Sequence, residues 1–285
     1  MLDKRKFYIN GKWVPPSKPR DFEVINPSTE EAFATISLGS KNDTNIAVHA
    51  AKQALVPWSE SSKEERINLL EKLLNIYKKR YSEMVEAISM EMGAPIDWSR
   101  DSQTSSGQSH LEDFIVRLKE FKFDEQFSPG SNNRICYEPI GVCGLITPWN
   151  WPINQIMSKL VFVLASGCTC ILKPSEISPL SAILIAEIID EAGTPRGVFN
   201  LVNGFGSIVG DAMSRHPEIS MMSFTGSTIG GISVAKSSAD TVKRVSQELG
   251  GKSANIILDD SSFEKSVKQG VIKCCLLYTS DAADE

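Results

Sequence analysis

Glu248 heads the run Glu-Leu-Gly-Gly-Lys, where a carboxylate meets two glycines at the reading end of a β-strand. Glycine permits sharp turns and close approach of a ligand, so a carboxylate here can serve as a general base; a solvated turn residue fits the same pattern. Asn150 closes the run Thr-Pro-Trp-Asn. Its amide could donate to a developing oxyanion, a role worth about 3 kcal/mol in enzymes that use it, or could simply occupy a turn. Lys173 and Glu176 stand three apart in Lys-Pro-Ser-Glu, a spacing that can grip a diol such as ribose. The carboxylate would repel a 2′-phosphate and so favour NAD over NADP. A surface lysine followed by a helix-capping glutamate is the alternative. Gly226 and Ser227 open a helix, whose free N–H groups and dipole can hold a pyrophosphate. The run Gly-Phe-Gly-Ser-Ile-Val-Gly places Gly206 and Gly210 at another helix start, with G-x-G-x-x-x-G spacing and not the dinucleotide fingerprint.

The elements that must position these groups follow from hydrophobic patterning. From about residue 133, short apolar runs alternate with helical segments, the grammar of a parallel sheet covered on both faces. The fold class expected is therefore α/β, a doubly wound, Rossmann-like parallel sheet. In such a sheet ligands sit beyond the carboxyl ends of the strands. The tetrads TPWN, KPSE, NGFG, FTGS and ELGG end successive apolar runs and point to one composite site. Ahead of them, KFYINGKWV reads as a hairpin about an Asn-Gly turn, followed by the extended pieces DFEVINP and EEAFATISLG. Helical spacing then takes over, with Asp43 or Thr44 as N-cap of the first helix and Ser61 or Ser62 as N-cap of a long second one ending at Gly93 and Pro95. A further helix is expected over about 97–120.

The chain has 285 residues, 41% hydrophobic and 23% charged, the profile of a globular protein with one large domain or two ordinary ones. A net charge of −5 argues against nucleic acid or anionic membrane as partner. The N-terminus lacks the apolar run of a secretory signal, and the run 160–172 is too short to cross a bilayer. The six cysteines form no C-x-x-C pattern and histidine is limited to His49, His110 and His216, so zinc and a histidine triad find no support. A cytoplasmic protein with reduced thiols is expected.

Together, ITPWNWP, LKPSE, GFGSIVG, FTGST and QELGGKSANI closely resemble the aldehyde dehydrogenase superfamily in order and spacing, over nearly the whole chain to about Cys275. The resemblance implies NAD-dependent oxidation of an aldehyde to a carboxylic acid, through attack of a cysteine thiolate, hydride transfer to the nicotinamide and hydrolysis of a thioester. By resemblance Asn150 serves the oxyanion and Glu248 is the general base, which favours the branch that hydrolyses to a free acid. Lys173 and Glu176 take the adenosine ribose, and Gly226 and Ser227 face the pyrophosphate. Ile146, Thr147, Pro148, Trp149, Phe224, Thr225 and Leu249 line the cofactor channel, and Gly206 and Gly210 form the adenine-side turn. Trp151, Asn154 and Met157 are candidates to touch the substrate.

The resemblance divides the chain into an NAD-binding domain over 1–250, with an oligomerisation-type hairpin within 121–140, and the start of a catalytic domain over 251–275. Residues 276–285 match nothing in the family. Family spacing puts the nucleophilic cysteine near position 282, which is Ala282. The expectation is an N-terminal piece of a homo-oligomeric enzyme, inert by itself and prone to aggregate through exposed apolar surface; an inert nucleotide-binding or interaction module is the alternative.

Overall fold

The computed structural model describes residues 1–251 and 254–277, with side chains as far as residue 272. Strands β1 (Leu2–Lys4), β2 (Phe7–Ile9), β3 (Lys12–Val14), β4 (Asp21–Asn26) and β5 (Glu31–Ser37) come first. The Asn-Gly signal is realised between β2 and β3, where Asn10 and Gly11 adopt φ of 53° and 68°, the left-handed pair that suits a two-residue hairpin. A Cβ on Gly11 would also meet Arg196 Cγ at 2.6 Å, so glycine is required on two counts.

Helices α1 (Lys41–Ser59), α2 (Lys63–Lys79) and α3 (Tyr81–Met92) follow. The N-cap of α1 is Ser40, and neither Asp43 nor Thr44. Asp43 is the third helical residue and its carboxylate accepts from the Ser40 backbone N–H, so its preference for helix starts is expressed inside a capping box. Ser62 caps α2 in the same way with Glu65. The expected long helix is broken at Arg80 (φ −97°, ψ 17°), whose guanidinium bridges Glu83 and Glu187 at 2.7 Å each. The short α4 (Ile96–Trp98) runs through a π-helical stretch, Ser99–Thr104, into α5 (Ser105–Glu120), which fills the region expected to be helical. A two-stranded ribbon, β6 (Asp124–Gln126) with β7 (Arg134–Cys136), comes next.

The alternating half then unfolds as the patterning requires: β8 (Val142–Ile146), α6 (Pro152–Ala165), β9 (Thr169–Lys173), α7 (Leu180–Glu191), β10 (Phe199–Leu201), α8 (Asp211–Arg215), β11 (Ile219–Gly226), α9 (Thr228–Ser238) and β12 (Arg244–Leu249), with α10 (Phe263–Leu277) at the end. Strands β12-β11-β8-β9-β10 are neighbours in that order and all parallel. The sequence hairpin β2-β3 extends this sheet, β2 pairing antiparallel with β10. Alternation along the strands sends Cys143, Leu145, Cys170 and Leu172 into a core with α2, α3, α5, α6 and α7. Val142, Ile146 and Ile171 go into a second core with α1, α8 and α9. The fold is the doubly wound α/β class read from the sequence.

One strand departs from that reading. β12 is not an apolar strand buried on both faces: it pairs only with β11, and its residues alternate between exposed and half-buried. An edge strand has one neighbour, so its polar side chains Ser246 and Gln247 carry no burial cost. Ile229, Val242, Ile256, Leu258 and Phe263 are exposed, as the sequence led one to expect of apolar surface in this part of the chain. Ala282 and the tail 278–285 lie outside the described residues, as do the side chains of Cys274 and Cys275. Among the described residues no helix is long and apolar enough to cross a membrane.

Candidate active site

The strand ends named by the sequence fall side by side. In β12 and β11, Glu248 is opposite Thr225 and Leu249 opposite Gly226. Phe224 of β11 is opposite Ile146 of β8, and Ile146 is in turn opposite Lys173 of β9. The Thr147 N–H donates to the Lys173 carbonyl at 3.2 Å, which carries the pairing one residue past the strands. From β8 the chain winds outward through β9 and β10 in one direction and through β11 and β12 in the other. The reversal lies between β8 and β11, the switch point where an open sheet leaves a crevice.

Around this crevice several polar atoms are buried without a partner among the described residues: Thr147 Oγ1, Trp149 Nε1, Asn203 Nδ2 and Oδ1, and Thr225 Oγ1. Each such atom costs on the order of 1–3 kcal/mol unless something external satisfies it. A polar ligand laid along the row would do so. Gly206 begins the π-helical turn Gly206–Gly210, and a Cβ there would meet no protein atom within 4 Å. The space beside Gly206 is open. Gly210 is packed under Ile146, whose Cδ1 would lie 3.3 Å from an added Cβ.

The start of α9 has the geometry of an anion site. Ser227 is its N-cap, and the Ser227 hydroxyl accepts from the Gly230 N–H at 3.1 Å. The Phe224 ring packs beneath this turn, 2.7 Å from where a Gly226 Cβ would be and 2.8 Å from that of Gly230. Phe224 is therefore a buried floor under the helix start, more than an open wall of a channel. Leu249 covers Gly231 in the same fashion from the neighbouring strand.

Lys173 is 4% exposed, so the surface-lysine alternative does not hold. Its Nζ lies 3.1 Å from Glu176, with burial lowering the lysine pKa and Glu176 opposing that shift. Ile177 and Ser178 lead into α7, whose first N–H groups, Leu180 and Ser181, donate to the buried carboxylate of Glu91 on α3. Asn150 is buried and its carbonyl accepts from Gln103 Nε2 at 3.3 Å, which fixes the turn before α6. Glu248 is exposed.

Residues outside the sequence reading complete the site. Lys159 of α6 is 9% exposed, and its Nζ donates to Ser223 Oγ at 3.0 Å. Burial lowers its pKa to about 8, and the Glu248 charge opposes the shift. A lysine among Ile156, Leu160 and Val163 breaks an apolar helix face, and that was the available signal. Of the substrate candidates, Trp151 and Asn154 are half-buried beside Trp98 and His110, with Trp98–Trp151 ring centroids 5.7 Å apart and His110 Nε2 2.8 Å from Asn154 Oδ1. Met157 is 2% exposed and packed in the core. Clefts elsewhere, such as one of about 430 Å³ between α1, α2 and Gly193–Arg196, contain none of the strand-end residues.

The strand order and the polar row at its switch point define a doubly wound α/β class of domain. The chain belongs to the aldehyde dehydrogenase family, whose model matches residues 13–277. It is 50% identical over 272 residues to the 3-succinoylsemialdehyde-pyridine dehydrogenase of a Pseudomonas species, covering 95% of this chain and 56% of that protein. An aldehyde dehydrogenase from Bartonella henselae superposes with a TM-score of 0.95 at 52% identity, covering 99% of this chain and 60% of that one. A cysteine-to-alanine mutant of aldehyde dehydrogenase C from Pseudomonas syringae, solved with NAD+ and octanal, superposes with a TM-score of 0.92 at 46% identity, covering 95% of this chain and 55% of its own. The chain thus spans a little over half the length of the relatives it matches.

Proposed function

We propose that this chain is the NAD-binding part of an enzyme that oxidises an aldehyde to a carboxylic acid. The observation that carries the reading is the side-by-side placement of Ile146, Lys173, Thr225 and Glu248 at the ends of four neighbouring strands, around polar atoms with no partner among the described residues. Residues 1–250 form the cofactor domain, with the ribbon near 121–140 as an oligomerisation element, and 251–275 begin the catalytic domain.

The residues present fit NAD. Lys173 and Glu176, already paired, would take the two hydroxyls of the adenosine ribose, one donor and one acceptor. Gly226 and Ser227 would present the α9 N-terminus to the pyrophosphate. Gly206 would leave space for the adenine, on a turn that Gly210 packs under Ile146. Ile146, Thr147, Pro148, Trp149, Phe224, Thr225 and Leu249 would floor and wall the route to the nicotinamide. Bound there, NAD supplies the hydride acceptor.

The chain's own groups handle charge and protons. The Asn150 amide would donate to the oxygen of the aldehyde carbon as it gains negative charge. Glu248, exposed at the crevice, would accept a proton from the nucleophile or from hydrolytic water. Trp151 and Asn154 would meet the substrate chain. No described cysteine lies at the row: Cys136 sits on the ribbon, while Cys143, Cys168 and Cys170 are buried in or just before β8 and β9. This favours binding without turnover for the chain as given.

Calorimetric titration with NAD and NADP, paired with an NADH assay over an aldehyde panel, tests the reading. The expected result is NAD binding at least about tenfold tighter than NADP, with no aldehyde-dependent NADH. Equal or tighter NADP binding would overturn the ribose assignment, and measurable turnover would overturn the inert state.

A further inference from the structure

The loop from β9 to α7 carries Glu176, and its two ends are held in different ways. At the β9 end the Val202 and Thr147 N–H groups donate to the Leu172 and Lys173 carbonyls at 3.0 and 3.2 Å, so Lys173 stays where the sheet puts it. From Pro174 to Ser178 no hydrogen bond reaches another element among the described residues. The Ile177 N–H turns back to Ser175 Oγ at 3.3 Å, and Glu176 turns back to Lys173. The buried hydroxyls of Ser178 and Ser181 have no partner among the described residues. At the α7 end the N-cap is Pro179, which offers no side-chain cap to the first N–H groups of the helix.

Glu91 supplies that cap from a different helix. It stands in the last turn of α3 and is 1% exposed. Its carboxylate accepts from the Leu180 N–H and, with both oxygens, from the Ser181 N–H at 3.2 and 3.3 Å. Among the described residues these are its only hydrogen bonds. A buried carboxylate is costly unless satisfied, and here two backbone donors and the positive end of a 12-residue helix satisfy it. At the start of α3, Arg80 pairs with Glu187 of α7 at 2.7 Å. The two helices are thereby pinned to each other at both ends. Pro174 and Pro179 restrict the intervening loop, so a shift of the α7 start passes to Glu176, four residues upstream of Leu180, with little slack.

We propose that Glu91 is a positioning residue for the cofactor grip: by holding the start of α7 it sets where Glu176 stands relative to Lys173, a role that rests on the assignment of this pair to the adenosine ribose. Lys173 is held by the sheet, so loss of Glu91 acts on the Glu176 half of the grip alone. Glu91 touches no ligand itself. A purely structural role would instead lower stability and weaken NAD to the same extent whether or not Glu176 is present.

A double-mutant cycle separates these outcomes. NAD is titrated by calorimetry at about pH 8.5, where the Glu91 carboxyl with its pKa of about 7 is ionised, and each sample is also melted. Glu91→Ala should weaken NAD on the order of tenfold in the wild-type background, and by less than about twofold when Glu176 is already alanine. Glu91→Gln keeps the side-chain volume and one acceptor oxygen, so its affinity should fall between those of the wild type and Glu91→Ala. It carries the same cycle if Glu91→Ala fails to fold. Unchanged NAD affinity in both Glu91 variants, or a weakening that persists at full size in Glu176→Ala, would overturn the proposal. The wild-type chain is also titrated with the analogue of NAD that lacks both adenosine-ribose hydroxyls. Equal affinity for the two would overturn the ribose assignment and the positioning role with it; a preference for NAD without Glu91–Glu176 coupling would overturn the positioning role alone.

Discussion

Replacing Lys173 with methionine isolates the ribose grip from the fold. The side chain is 4% exposed and its ammonium lies 3.1 Å from Glu176, whose side chain is 23% exposed. Methionine keeps the aliphatic path through the core and removes only the charge. Burying the lysine charge and pairing it with Glu176 act in opposite directions, so the net change in folding stability should stay within about 1 kcal/mol. A hydrogen bond from a charged donor to a ribose hydroxyl is worth about 1.5–3 kcal/mol, and each 1.4 kcal/mol is a factor of about ten in affinity. Lys173→Met should therefore weaken NAD roughly 10- to 100-fold at a nearly unchanged melting temperature. Calorimetry and a thermal melt on the same sample read both quantities. A folded variant that binds NAD within about twofold of the wild type would refute the assignment of Lys173 to the cofactor.

Gly206→Ala should leave stability within about 0.5 kcal/mol, because an added methyl meets no protein atom within 4 Å, yet lower NAD affinity by occupying the space kept for the ligand; unchanged NAD affinity would contradict that use of the space. Glu91 has its pKa raised to about 7 by burial, against the opposing pull of the Ser181 and Leu180 donors. A carboxyl whose folded pKa exceeds its unfolded value of 4.5 contributes fully below pH 4.5 and loses that contribution as pH rises to about 7. The loss amounts to roughly 3 kcal/mol. Glu91→Gln should flatten the fall of melting temperature over that window, and an unaltered pH profile would show that Glu91 does not titrate there. Glu248→Gln removes the charge that supports Lys159, so the Lys159 titration near 8 should move lower by lysine-selective NMR; an unmoved titration would place the Glu248 carboxylate away from Lys159.

Much of the site was legible because strand ends in a parallel sheet are forced into line. Once TPWN, KPSE, FTGS and ELGG were each taken as the end of a strand, pairing alone brought Ile146, Lys173, Phe224 and Glu248 into adjacent registers. The helix start at Ser227 was legible for a similarly local reason, a capping serine followed by small residues. Lys159 was not, because its role depends on which residue of β11 faces α6, a long-range pairing that a helical pattern does not encode. The exposed β12 was misread because edge and centre are properties of the whole sheet order. Asp43 misled as an N-cap because the same side chain serves equally well three residues into a capping box.

Hydrogen exchange of the chain with and without saturating NAD tests the composite site most directly. The account expects slowed exchange in four separate segments at once: 146–150, 173–181, 203–210 and 224–231. Protection confined to one of them, or found instead along the α1–α2 cleft, would contradict a dinucleotide lying across the strand ends.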